Sequence, residues 1–165
     1  MAAKIFESEI LDSSYATTNV KHLRVSVLKD FDFKPGQYLS MSVLHEGKKY
    51  RSPFSIATFP NNRKYVDFFI KLSEHGRTSR FVDFLKKRDK IELFGPLGKF
   101  TVRENSENKD IVFLSSGTGI TTFVSMIPSL LAGEFSKKIV LLKGFRNEED
   151  ILYEKESLEL RKKHK

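Results

Sequence analysis

The 165-residue chain has no cysteine. Disulfides, thiolate zinc sites and cysteine-ligated iron–sulfur clusters are therefore excluded within it. Histidine is scarce as well. His22, His45, His75 and His164 are scattered without ligand spacing, so no metal site is expected. No apolar run is long enough to span a bilayer, and the opening MAAKIFESEI lacks a signal-peptide core. A cytoplasmic protein without a membrane span is the expectation. Also missing is any basic run flanked by stacking aromatics. The net charge is +8, but Lys and Arg are spread along the chain, several beside Asp or Glu, which argues against nucleic acid as the partner. A basic surface of this kind suits an acidic protein or a phosphorylated cofactor. The remainder, 39% hydrophobic and 30% charged, is a globular composition long enough for one sizeable domain or two small ones.

The first hundred residues read as short strands separated by turns. Residues 4–11 carry Ile5 and Ile10 among polar neighbours; residues 20–28 alternate, with Leu23, Val25 and Val27 on one face. Phe33-Lys34-Pro35-Gly36-Gln37-Tyr38 is a turn entering a strand in which Leu39, Met41 and Val43 alternate. His45-Glu46-Gly47-Lys48 and Pro60-Asn61-Asn62 are further turns. Residues 65–72 place Val66, Phe68 and Ile70 on one face, and residues 90–94 form another strand before the tight turn Gly95-Pro96-Leu97-Gly98-Lys99-Phe100. Strands so short and so regularly spaced predict a small antiparallel β-barrel.

Within that barrel, Arg51-Ser52-Pro53-Phe54-Ser55-Ile56-Ala57-Thr58 gathers a cation, a hydroxyl and an aromatic ring. Phe54 and Ile56 alternate with Ser55 and Ala57, and Pro53 confines the strand to an edge, a strand start or a bulge. The set suits a flat, polar, phosphorylated ligand: Phe54 as a ring to lie against, Ser55 as a hydrogen bond to a ring edge, Arg51 as a charge for phosphate. Downstream, Phe81, Val82, Phe84 and Leu85 are spaced as one helix face, with Thr78 or Ser79 as N-cap and Gly76 allowing close backbone approach. A glycine-hydroxyl loop opening a helix binds anions through its first amide groups.

Residues 103–110, RENSENKD, read as a linker. Beyond them Ile111-Val112-Phe113-Leu114 is expected to be a parallel strand buried on both faces. The glycine-rich turn Ser115-Ser116-Gly117-Thr118-Gly119-Ile120 follows, then a helix over 121–132, a strand over 139–142 and a helix over 150–161: a βαβα unit, the start of a nucleotide-binding fold. Ser115 and Ser116 form no nucleophile elbow, which leaves a hydrolase without support.

Taken in order, these motifs resemble the ferredoxin–NADP reductase family. Residues 51–58 are similar to its flavin strand, Arg-x-Tyr-Ser. Pro35-Gly36-Gln37-Tyr38 matches its Pro-Gly-Gln-aromatic signature, Gly76 and Ser79 its Gly-x-x-Ser, and residues 95–100 its Gly-Pro-x-Gly-x-Phe turn. Gly117-Thr118-Gly119-Ile120 resembles its Gly-Thr-Gly-Ile-x-Pro, and Gly144-Phe145-Arg146 with Asp150-Ile151-Leu152-Tyr153 and Glu156 its closing segment. The chain departs from the pattern at three places. Phe54 stands for Tyr. Arg51 lies three residues before the aromatic with Ser52 at the usual Arg position, so that a bulge at Pro53 would be needed to bring Arg51 back. Thr122 replaces the Pro.

The resemblance implies a six-stranded, antiparallel, Greek-key FAD-binding barrel with a capping helix over residues 1–102, and a partial Rossmann-like NAD(P)-binding α/β domain over 109–165. It implies a flavin-dependent oxidoreductase moving electrons between NAD(P)H and a carrier; a non-catalytic electron-relay subunit of a larger complex is the alternative. Ser55 would act at the reacting ring edge. Ser52, Pro53, Phe54, Phe69, Ile70 and Lys71 would line the flavin, with Arg51, Gly76, Arg77, Thr78 and Ser79 on its phosphates. Gly117, Thr118 and Gly119 would cradle the pyridine-nucleotide pyrophosphate. Asp150 and Tyr153 would cap and pack the last helix. FAD is favoured because a separate phosphate loop suits a diphosphate, and FMN stays open. The partner would be an acidic ferredoxin- or flavodoxin-like carrier or a redox subunit. With two strands and two helices in the second unit, the chain is expected to be truncated and its flavin to be reduced slowly or not at all by NAD(P)H.

Overall fold

The structure, a computed structural model, describes residues 2–45, 47–59, 64–73, 76–106 and 108–164; for residues 45, 77–80 and 104 it describes the backbone alone. The turn expected at Pro60-Asn61-Asn62 lies outside the described residues, as do Glu46, Glu74 and His75.

Six strands make one curled antiparallel sheet: β1 Lys4–Thr17, β2 Val20–Ser26, β3 Tyr38–His45, β4 Lys48–Ser55, β5 Tyr65–Lys71 and β6 Lys90–Leu97. Their order is β4-β3-β6-β1-β2-β5, so β6 returns between β1 and β3 in Greek-key fashion. The alternation read in the sequence drives the curl. Leu23 and Val25, Leu39, Met41 and Val43, Val66, Phe68 and Ile70, and Ile91 and Leu93 all turn inward into one buried core. The edges β4 and β5 form no ladder. Just past β4, the Ala57 N–H donates to the Asp67 carbonyl at 2.9 Å and joins them at one end.

Several elements run longer than expected. β1 continues six residues beyond Leu11 because its polar half keeps pairing with β2, from Asp12↔Arg24 to Thr17↔Val20. β6 extends through the cis Gly95–Pro96 bond, pairing Gly95 with Lys4 and Leu97 with Tyr38, so the start of the expected turn is strand.

Helix α1, Arg77–Phe84, caps the barrel by burying Val82, and its C-cap residue Leu85, in the core. Phe84 was expected on the same face but is 69% exposed. At about 100° per residue it falls outside the arc that Phe81, Val82 and Leu85 share. Gly76, in extended conformation, is the N-cap, so Thr78 and Ser79 lie inside the first turn rather than at the cap.

The linker contains a 3₁₀ turn, Glu104–Ser106. Then come β7 Ile111–Ser116, α2 Ile120–Ala132, β8 Ile139–Gly144 and α3 Glu154–Lys163. β7 and β8 pair in parallel from Ile111↔Ile139 to Ser116↔Gly144. Both helices pack against the Phe113 side, where Ile120, Phe123, Met126, Ile127 and Leu152 form a second core with Leu141 and Leu160 against it. That core also takes in Val20 of β2, with Phe69 of β5 packed on it. The expectation that β7 is buried on both faces is corrected: Val112 is 61% exposed, Leu114 73% and Leu142 51%. Among the described residues, no helix covers that side. The last helix also starts later than residue 150. Glu148–Asp150 form a 3₁₀ turn, so Asp150 does not cap α3, and Tyr153 adopts a left-handed conformation (φ 58°) as its N-cap.

Candidate functional site

β4 is an edge strand, which accommodates Pro53 because one side of the strand needs no N–H donor. Its pairing with β3 runs unbroken from Tyr38↔Ser55 to His45↔Lys48, so Pro53 makes no bulge. Side chains therefore alternate strictly. Ser52 and Phe54 share the face of their partners Met41 and Leu39, both fully buried, whereas Arg51, Pro53 and Ser55 share the opposite face. Phe54 is half-buried with its ring centre 6.4 Å from that of Phe68.

Without the bulge, Arg51 and Phe54 stay on opposite faces of β4. Arg51 is held on its own face: its Nε donates to Ser42 Oγ at 3.2 Å, its Nη2 lies 3.4 Å from Glu92 Oε1, and its guanidinium stands 5.8 Å from the Phe94 ring centre. Lys49, 2.6 Å from the same carboxylate, and Arg51 together hold Glu92 below the usual carboxylate range.

Beside β4, the Phe81 and Tyr50 rings meet at 4.0 Å and dock α1 on the strand. The Gly76 N–H donates to the Ser73 carbonyl at 3.1 Å. Any anion at this helix end is consequently left to the amides of residues 77–79, which have no intrahelical acceptor. The other end of α1 is anchored by Lys21, whose Nζ donates to the Asp83 carbonyl at 3.1 Å; the Asp83 carboxylate accepts the Tyr15 hydroxyl. A cation there complements the helix dipole.

The end of β5 offers less than expected. Ile70 belongs to the barrel core, and Phe69 is clasped between His22 (4.7 Å) and Tyr153 (4.9 Å). The Lys71 side chain is exposed.

Gly117–Gly119 form a 3₁₀ turn leading into α2, with Gly117 at φ 52°. A Cβ on Gly117 or Gly119 would meet no atom within 4 Å, so this backbone is open to close approach by a phosphate group. The Thr118 carbonyl accepts the Thr121 hydroxyl at 2.8 Å. The flavin-type strand and the glycine turn come together here: Thr122 Oγ1, in the first turn of α2, lies 3.1 Å from Ser55 Oγ at the end of β4.

One cluster escaped sequence reasoning. Asp67, on the outer face of β5, accepts from His22 Nε2 at 2.8 Å and from Arg24 Nε and Nη2 at 2.9 and 3.2 Å. Its own N–H donates to Thr58 Oγ1 at 2.6 Å, and its carbonyl accepts from Ala57. Burial alone would push the Asp67 carboxyl up; the hydrogen bonds and charges of His22 and Arg24 outweigh it and hold the group below its ordinary value. The cluster fastens the exit of β4 to β5. Its only trace in the sequence is polar residues alternating with Leu23, Val25, Val66 and Phe68, a pattern that any solvated strand face shares.

Comparison with known proteins agrees with this architecture. Residues 8–102 match the family described as "Oxidoreductase FAD-binding domain" and residues 113–165 "Oxidoreductase NAD-binding domain". The chain belongs to the ferredoxin–NADP reductase family. It is 38% identical over 130 residues to NADH-cytochrome b5 reductase 1 of Dictyostelium discoideum, an alignment covering 78% of this chain and 45% of that one. It is 32% identical over 133 residues to the phenol 2-monooxygenase reductase component DmpP of Pseudomonas sp. (strain CF600), covering 80% and 37%. The fold superposes on ferredoxin-NADP+ reductase from Plasmodium falciparum with a TM-score of 0.84 at 24% identity, over 96% of this chain and 66% of that one. The chain spans less than half the length of these two curated relatives. Among the described residues, no helix is long and apolar enough to cross a membrane, and no group of three or more His, Cys, Asp or Glu could hold a metal ion.

Proposed function

We propose that this chain forms the flavin-binding part, and the first part of the nicotinamide site, of an oxidoreductase that passes electrons between NAD(P)H and a protein carrier. The observation that carries the reading is the 3.1 Å contact of Ser55 with Thr122, which sets the end of the flavin strand against the helix that opens at Gly117–Gly119. When bound, FAD supplies the redox chemistry, accepting a hydride and releasing single electrons. The chain's residues bind and orient. Phe54 presents a half-buried ring at the sheet edge for stacking. Ser55 offers its hydroxyl to the ring edge. The amides of residues 77–79 face the flavin phosphates with Gly76 admitting the backbone, and Gly117, Thr118 and Gly119 receive the pyrophosphate of the second nucleotide. The basic balance of the chain favours an acidic carrier.

FAD titrated into the apo-protein tests the assignment. Phe54→Ala is expected to weaken binding by about 1–3 kcal/mol, the scale of base stacking on an aromatic ring. Equal affinity of variant and wild type would remove Phe54 from the site. Arg51→Ala serves as the counterpart. Since the Arg51 guanidinium is already engaged by Ser42 and Glu92, the variant's affinity for FAD should stay within about twofold of wild type, the reach of a weak surface interaction. A loss of tenfold or more would return Arg51 to the phosphates. Oxidation of NADH or NADPH with an artificial acceptor then separates an enzyme from an electron-relay subunit.

A further inference from the structure

Beside the apolar packing of the second core on Val20, two hydroxyls of α2 hydrogen-bond to the barrel. Thr122 and Ser125 are three residues apart and lie on one side of the helix. Ser125 is fully buried; its Oγ donates to the Thr122 carbonyl at 2.9 Å and accepts the Gly36 N–H at 3.1 Å. Thr122 Oγ1 reaches Ser55 Oγ at 3.1 Å. The helix is thereby fixed to the barrel twice, at the Pro35-Gly36 turn and at the end of the flavin strand. Thr122 stands where the family pattern has a proline, which carries no side-chain donor.

We propose that Thr122 is a positioning residue for Ser55, donating its hydroxyl hydrogen to Ser55 Oγ so that the Ser55 hydrogen is directed to an acceptor on the flavin ring edge. The inference rests on the flavin reading above. A serine hydroxyl has one hydrogen and two lone pairs. With one lone pair occupied by Thr122, the Ser55 hydrogen turns away from α2, toward the side where β4 presents the strand end. The free rotor becomes a fixed donor before the ligand arrives, and less ordering remains to be done on binding. No proton leaves either hydroxyl in this arrangement.

The test is a double-mutant cycle on the full chain, read by FAD affinity and by the visible absorption band of bound flavin, which responds to hydrogen bonds at the ring. Thr122→Val keeps the shape and removes the donor. It is expected to weaken FAD binding by about 2- to 10-fold, the range of one net hydrogen bond, and to move the band in the direction that Ser55→Ala moves it. Thr122→Ser should restore both. In a Ser55→Ala background, Thr122→Val should have no further effect. Thr122→Ala takes the place of the valine variant should that one not fold. A Thr122→Val protein with wild-type affinity and spectrum overturns the proposal, as does an undiminished effect in the Ser55→Ala background. Absence of FAD binding by the wild-type chain is a different outcome: it overturns the flavin reading itself, and the role of Thr122 with it.

Discussion

Asp67→Asn should lower the melting temperature by about 6–12 °C. Breaking a buried ion pair by removing one partner costs about 3–5 kcal/mol, and the partial exposure of Arg24 (38%) places this case near the lower end, about 3 kcal/mol. For a chain of this size each kcal/mol corresponds to about 2–4 °C. Asn keeps an acceptor but loses the charge that His22 and Arg24 converge on. The expected pH dependence follows from the direction of the shift. The Asp67 carboxyl is depressed in the folded chain, so its stabilisation is fully present above the ordinary Asp value of about 4 and is lost as pH falls through the lower, folded value. Unfolding curves of wild type and variant should therefore lie apart at neutral pH and converge in acid below about pH 4. A gap that is constant down to pH 2 would show that the carboxylate charge is not what the cluster uses.

Gly36→Ala is expected to destabilise the chain by about 2–5 kcal/mol, combining left-handed strain of about 1–2 with overpacking of about 1–3. Gly36 sits at φ 95°, and an added Cβ would lie 2.1 Å from the Phe100 carbonyl oxygen and 2.2 Å from Met126 Cε. Met126 is nearly fully buried and has little room to retreat. Gly47→Ala isolates the strain: φ there is 73° and nothing lies within 4 Å, so about 1–2 kcal/mol is expected. Urea midpoints of the two variants decide. Equal losses would mean that Phe100 and Met126 do not crowd the turn.

The barrel was readable because its strands alternate against a single core. Leu23 and Val25, Leu39, Met41 and Val43, and Val66, Phe68 and Ile70 were picked out by period alone, and each is buried. Where that period does not decide, the reading failed. The polar half of β1 has no apolar face to betray it, although backbone pairing continues to Thr17. An apolar run cannot say how many of its faces are covered, and Val112 and Leu114 are not covered here. At the candidate site the motifs were legible as strings, but the side that each residue faces depends on register. One residue of offset put Arg51 opposite Glu92 instead of beside Phe54. Thr122 and Ser125 look like ordinary polar positions on an amphipathic helix until the barrel supplies Ser55 and Gly36 as their partners.

The two hydrophobic clusters are unequal in their independence. The first contains no residue beyond Leu93, while the second includes Val20 and leans on Phe69, both on barrel strands. The order of disassembly follows. Amides of β7 and β8 should exchange with solvent no more slowly than those of β2 and β5, since opening the barrel removes part of the floor beneath them. The reverse does not hold: the α/β segment can come apart and leave the barrel's inner cluster intact. Proteolysis in the 103–110 linker should accordingly leave a resistant N-terminal piece and a C-terminal piece that is digested.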